Sequence, residues 1–137
     1  MKDFSRNKIQ ELSAISLYDV LTYSHMGEEV NVEEILSNVF DVPFDDVPLF
    51  AKEIIVNFIR YQDEEINLIQ KNMRNWTFDR LNRMEQAILL LSLTNFYHRE
   101  EKTDKKVIIS VALDLSHKYL DDGRHKFVNA ILDNILQ

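Results

Sequence analysis

The sequence predicts an all-α protein, and two observations carry that prediction. Only two Gly and two Pro stand among its 137 residues, so few positions force a turn or interrupt a helix. Apolar residues recur at helical spacings through most of the chain. With 45% hydrophobic residues the chain is long enough to bury a full core, and residues 1–137 are read as one domain.

The first helix is expected over about residues 5–24, with Ile9, Leu12, Ile15, Leu17, Tyr18, Val20 and Leu21 as its apolar face and His25 to Gly27 ending it. Asn31 is suited to cap a short helix through Phe40, with Glu33 and Glu34 in its dipole-friendly first turn. Pro43 breaks the chain. Asp45 or Asp46 caps the next helix, with Pro48 in its first turn and Phe50, Ile54, Ile55, Phe58 and Ile59 inside it. Asp63 caps another, carrying Ile66, Leu68, Ile69 and Met73. Trp76 opens a connecting turn.

The segment from Asn82 to Arg99 is apolar nearly all round, which marks a helix at the centre of a bundle. A charged loop follows, then a helix over about residues 106–120. Val107-Ile108-Ile109 is β-branched, yet Val111, Ala112, Leu115 and Tyr119 continue at helical spacing. The last helix begins at Arg124 and buries Val128, Ile131, Leu132, Ile135 and Leu136. The count is about seven helices and no strand.

Without cysteine there is no disulfide framework, thiolate nucleophile or Cys-based zinc site. The first residues lack an apolar stretch of signal-peptide type, and the longest apolar run, Ala87 to Leu91, is far too short for a bilayer. The expectation is a cytoplasmic protein without membrane association. The net charge of −7 argues on its face against a nucleic-acid partner. Its distribution weakens that objection. Residues 28–65 hold eleven acids and two bases, residues 1–27 balance, and residues 66–137 carry eleven bases against nine acids. The acidic excess is therefore one segment, read as a solvated surface or as a face that repels RNA and confines it to the other side.

No catalytic, cofactor or metal site is expected. Asp114/His117 and Asp122/His125 have i,i+3 spacing, but the Glu-x-x-His repeat of di-iron bundles is absent. No phosphate loop or nucleophile motif appears. The pairs Glu33/Glu34 and Glu64/Glu65 are read as first-turn acids, and His25 and His98 as surface residues near helix ends.

Three blocks and the closing helix follow the pattern of a known family. Arg6 and Lys8, then Ala14, Leu17 and Tyr18, fit loosely its basic start and the Leu-Tyr that follows. Asn75-Trp76 and then Arg83-Met84-Glu85-Gln86-Ala87-Ile88-Leu89 resemble its central block, with Leu90 where an Arg is usual. Lys106 to Ile109 and Leu113-Asp114-Leu115 resemble the next. Phe127-Val128-Asn129, Leu132-Asp133 and Ile135 match the closing helix, with Ala130 in place of the usual Gly.

In these blocks the chain resembles the NusB family, and the resemblance implies a seven-helix NusB-like bundle. It implies a factor that binds single-stranded boxA RNA together with the ribosomal protein NusE, joins an RNA polymerase antitermination complex and promotes ribosomal RNA transcription. Family members occur as monomers and as homodimers. The RNA surface it implies combines the start of the first helix with the start of the last, and NusE docks on an adjoining face that includes the central helix.

In this chain those regions hold Lys2, Arg6 and Lys8, then Arg124, Lys126 and Phe127. Cations at helix starts reach phosphates. Tyr18 is a stacking residue or a core tyrosine, and Phe127 a stacking residue or a buried anchor. Glu85 is the candidate for the partner face, able to accept from a base or from a partner's Arg, or else an ordinary exposed helix glutamate. The basic cluster is thinned: Asn7 and Gln10 stand where arginines are common, and Asp3 adds an acid. The alternative is therefore a protein–protein adaptor of the same fold with reduced or lost RNA binding.

Overall fold

The computed structural model describes residues 3–137. It contains six α-helices: α1 (Arg6–His25), α2 (Val32–Phe40), α3 (Leu49–Lys71), α4 (Arg83–Tyr97), α5 (Lys105–Tyr119) and α6 (Arg124–Ile135). Two short 3-10 turns, Phe44–Asp46 and Phe78–Arg80, lie in the connections. Among the described residues there is no strand, and no helix is long and apolar enough to cross a membrane.

The expected seventh helix does not exist as a separate element. Asp63 is an exposed residue within α3, which runs unbroken for 23 residues. Asp is a good cap only where the chain already leaves helical geometry, and neither Gly nor Pro interrupts residues 49–71. Asp45 and Asp46 do not cap α3 either. They lie in the 3-10 turn, and Pro48 holds the N-cap position of α3.

Other starts follow their caps closely. The Lys8 N–H donates to Ser5 Oγ at 3.1 Å, the Glu34 N–H to Asn31 Oδ1 at 3.0 Å, and the Met84 N–H to Asn82 Oδ1 at 2.8 Å. Each bond satisfies one otherwise orphaned helix donor.

Helix α4 is the axis of the bundle. Every residue from Met84 to Asn95 is buried, and α1, α3, α5 and α6 all pack against it. Leu17, Phe58, Ile88, Leu90, Leu93 and Leu132 meet in that core.

One polar cluster is sealed inside. Glu65, expected in an exposed first turn, sits in the middle of α3 and is 1% exposed. Thr94 Oγ1 donates to it, at 2.8 and 2.9 Å from its two oxygens, and His98 Nδ1 lies 2.7 Å from Oε2. His98 in turn stacks on Tyr61, ring centroids 3.9 Å apart, so it is not the surface histidine its position suggests. Burial pushes the Glu65 carboxyl up to about 8 despite the Thr94 hydrogen bond, and burial lowers His98. Both shifts favour a neutral pair, with the Glu65 carboxyl donating to an unprotonated Nδ1.

Gly123 precedes α6 with φ +88° and open space around the position a Cβ would occupy. Its requirement is therefore conformational: only glycine adopts this backbone without strain. Gly123→Ala is expected to cost about 1–2 kcal/mol, read as a lower urea midpoint with an unchanged slope.

Candidate nucleic-acid interface

The start of α6 is built by a tight turn. The Arg124 N–H donates to Asp121 O at 3.1 Å and the Lys126 N–H to Gly123 O at 3.1 Å. No side chain caps this helix and its first turn holds no acid. The free N–H groups and the helix dipole favour an anion at this start, against the opposing charges of Asp121 and Asp122 just before it. Lys126 points to solvent.

Arg124 reaches across to α4. Its Nε and Nη2 donate to Glu85 Oε2 and Oε1 at 2.9 and 2.8 Å, a two-pronged clasp. The hydrogen bonds to Glu85 raise the Arg124 pKa and hold the guanidinium charged. The same guanidinium lies over the Phe127 ring, 4.5 Å from its centroid. Phe127 is half-buried against the core, so it is both an anchor of α6 and a partly open aromatic surface.

Glu85 differs from expectation. It was read as an open acceptor on the partner face or as an ordinary exposed glutamate. It is 2% exposed, and both oxygens are taken by Arg124. Its geometry is that of a residue that positions Arg124. The reason is non-local: α6 packs across the first turn of α4, which no local pattern around Glu85 reports.

The α1 side is joined to this region through Glu11. Lys118 and Tyr119, at the end of α5, both contact the Glu11 carboxylate. Lys8 reaches it at 3.3 Å. The hydrogen bonds from Lys118 and Tyr119, with a smaller contribution from Lys8, hold the Glu11 carboxyl down at about 2. Burial and the same carboxylate push Tyr119 up to about 12, so its hydroxyl keeps its proton.

Arg6 is exposed at the first turn of α1. Lys2 lies outside the described residues. Tyr18 is 37% exposed, turned about 100° away from Leu17 around the helix. It is not a core tyrosine. The Arg83 guanidinium lies 5.9 Å from its ring centroid and donates to Thr22 Oγ1 at 3.1 Å.

Between the α3–α4 connection and the start of α6 lies a groove of about 360 Å³. Trp76, Arg80, Glu85, Tyr119, Asp121, Arg124 and Phe127 are among its lining residues. Trp76, Arg80, Arg83, Lys118 and Tyr119 were not singled out as site residues. Trp76 reads in the sequence as the opening of a connecting turn, and Tyr119 as the last residue of the helical spacing of α5. A terminal position in that spacing is the signal that would have marked Tyr119 as reachable by solvent.

The histidines of the two i,i+3 pairs, His117 and His125, meet with ring centroids 4.2 Å apart. Among the described residues no group of three or more His, Cys, Asp or Glu is placed to hold a metal ion.

Comparison with known proteins places the chain. The model of the NusB family matches residues 7–137. A transcription antitermination protein NusB from Macrococcus caseolyticus is 29% identical over 133 residues, covering 97% of each chain. One from Finegoldia magna is 33% identical over 88 residues, and the match spans slightly under two thirds, 64%, of each. In a crystal structure of antitermination factors NusB and NusE in complex with double-stranded RNA, one chain superposes with a TM-score of 0.74 at 24% identity, over 97% of this chain and 98% of that one. That likeness establishes the fold.

Proposed function

The chain belongs to the NusB family, whose named members are transcription antitermination proteins and not enzymes, and from that premise we propose that it binds boxA-type single-stranded RNA together with NusE. In this reading the complex joins RNA polymerase and promotes ribosomal RNA transcription.

The observation that carries the reading is the convergence of three separate elements on one connected surface. The start of α1, the end of α5 and the start of α6 are joined through Glu11 and Tyr119. Arg6, Lys8, Arg124 and Lys126 supply cations for phosphates. Tyr18 and Phe127 supply aromatic surface for bases. The acid-rich segment, residues 28–65, forms α2 and most of α3, and none of its residues lines the groove. It repels a polyanion from that part of the molecule.

The requirement for NusE has a physical basis in the same contacts. Lys8 and Lys118 are engaged by Glu11, and Arg124 by Glu85. An RNA phosphate must compete with carboxylates already in place, so the chain alone binds weakly. A partner that adds contacts to the same strand raises the affinity without new cations on this chain.

The test is fluorescence anisotropy of a labelled boxA-type oligonucleotide, with and without NusE, across a salt titration. Binding is expected to tighten when NusE is added. For three or four phosphate contacts, log K is expected to fall with log salt at a slope of about −2 to −3. NusE binding without any RNA binding would instead identify a protein-only adaptor. Failure to bind either would remove the proposed function.

A further inference from the structure

We propose that the groove between the α3–α4 connection and the start of α6 takes one unpaired nucleobase of the bound strand, with Trp76 as its stacking wall. The inference rests on the RNA-binding reading and adds to it a site and a ligand class.

The first observation is an exposed indole. Trp76 is 47% exposed, although its chain buries most of its large apolar residues. It is nonetheless held in place. The Gln70 side chain donates to Trp76 O at 3.1 Å and accepts from the Phe78 N–H at 2.7 Å. The Gln86 amide donates to Phe78 O at 2.8 Å. Two glutamines from α3 and α4 thus hold the backbone of the connection at Trp76 and Phe78, and Asn75 turns the chain there with φ +58°. An anchored backbone lowers the entropy cost when a ring lands on the indole.

The second observation is a second aromatic–guanidinium pair on the same groove. The Arg124 guanidinium, locked by Glu85, lies 4.5 Å from the Phe127 ring centroid. Arg80 sets the same pairing on the Trp76 side, 5.3 Å from the indole centroid. Two aromatic–guanidinium pairs lining one groove suit a flat ligand with π faces and an adjacent negative charge.

The volume decides between a base and a helix. About 360 Å³ is at the lower end of sites for small ligands, which run from about 300 to 1,000 Å³. A splayed-out base fits that scale and a duplex does not. Arg80 and Arg124 line the groove beside two acids, Glu85 and Asp121; Arg124 already serves Glu85, so Arg80 is the cation placed to meet the phosphate next to the stacked base.

The experiment uses the fact that Trp76 is the only tryptophan in the chain, so its emission reports on this wall alone. Unlabelled boxA oligonucleotide is titrated while Trp emission is read, and anisotropy of the labelled oligonucleotide is followed in parallel. Emission is expected to quench saturably at the concentrations where anisotropy rises. Trp76→Ala is expected to weaken RNA binding on the order of 10-fold, and Trp76→Phe to keep most of the affinity. The indole is half in solvent, and an unchanged unfolding midpoint would verify that the Ala variant folds.

RNA binding with unchanged emission and an unaffected Trp76→Ala variant would overturn the base site while leaving the RNA-binding reading intact. An emission change with NusE alone, after subtracting the Trp76→Phe variant as blank, would assign the wall to the protein partner and overturn the base site. No RNA binding by the wild-type chain, with or without NusE, would overturn both.

Discussion

Replacing Arg124 with alanine is expected to weaken single-stranded RNA binding by about 10- to 100-fold and to destabilise the fold at the same time. The two losses have different causes. For RNA, the variant removes a cation, its charge-assisted contact to phosphate and the planar cover on Phe127; a hydrogen bond to a charged group is worth ~1.5–3 kcal/mol. For the fold, it strands the Glu85 carboxylate, 2% exposed, without its partner. The Arg124 side chain is 42% exposed, so solvent already screens the pair and the cost is about 1–3 kcal/mol, below that of a fully buried pair.

A double variant separates the causes. Arg124→Ala with Glu85→Gln removes the stranded charge and is expected to recover most of the thermal midpoint while RNA affinity stays low. Arg124→Lys is expected to fall between wild type and Ala, because an ammonium cannot reproduce the two-pronged clasp or the stacked plane. Recovery of RNA affinity in the double variant would show that Arg124 acts only by holding α6 in place.

The second large effect is on stability against pH. Glu65 has its carboxyl at about 8 in the fold against 4.5 for the unperturbed group. Its contribution to stability is full below pH 4.5 and is lost as pH rises through about 8, because the unfolded chain releases a proton that the folded chain must keep. His98 acts in the opposite direction. Its folded pKa is depressed below 6.5, so its contribution is full above 6.5 and is lost on acidification. Between pH 6.5 and 8 the Glu65 effect therefore stands alone. One proton per molecule over that interval is worth ~2 kcal/mol.

Thermal unfolding followed by circular dichroism at pH 6.5, 7, 7.5 and 8 measures it. The wild-type midpoint is expected to fall across the series, and the Glu65→Gln variant to fall less. Parallel curves would place the Glu65 charge state elsewhere. At the acid end Glu11 governs: its carboxyl is held near 2, and that stabilisation is present above 4.5 and lost as pH falls towards 2.

What was legible in the sequence follows the range of each interaction. Helix starts at Ser5, Asn31 and Asn82 could be placed because a cap bonds to a backbone N–H two or three residues away. The central helix could be placed because burial on all sides removes its polar stripe. Asp45, Asp46 and Asp63 misled because a cap residue is only permissive. Whether a helix starts there depends on what precedes it.

The site was less legible because its contacts span the chain. The clasp of Arg124 on Glu85 joins residues 39 apart, and Tyr119 meets Glu11 across 108. Glu65 looked like a solvated member of an acidic pair, and only the packing of α4 over α3 makes it a buried acid. Trp76 reads in the sequence only as the opening of a connecting turn; its place beside the start of α6 follows from the way Gln70 and Gln86 hold that connection, at Trp76 O and Phe78 O, which no local pattern reports.

The surface proposed for RNA is most directly tested by photo-crosslinking. A boxA-type oligonucleotide carrying 4-thiouridine is irradiated with the chain and NusE, and the crosslinked peptides are identified by mass spectrometry. The account predicts crosslinks in three stretches: the start of α1 to Tyr18, the connection around Trp76 to Arg83, and the segment from Tyr119 to Phe127. Crosslinks confined to residues 28–65, or to the loop between α4 and α5, would contradict it.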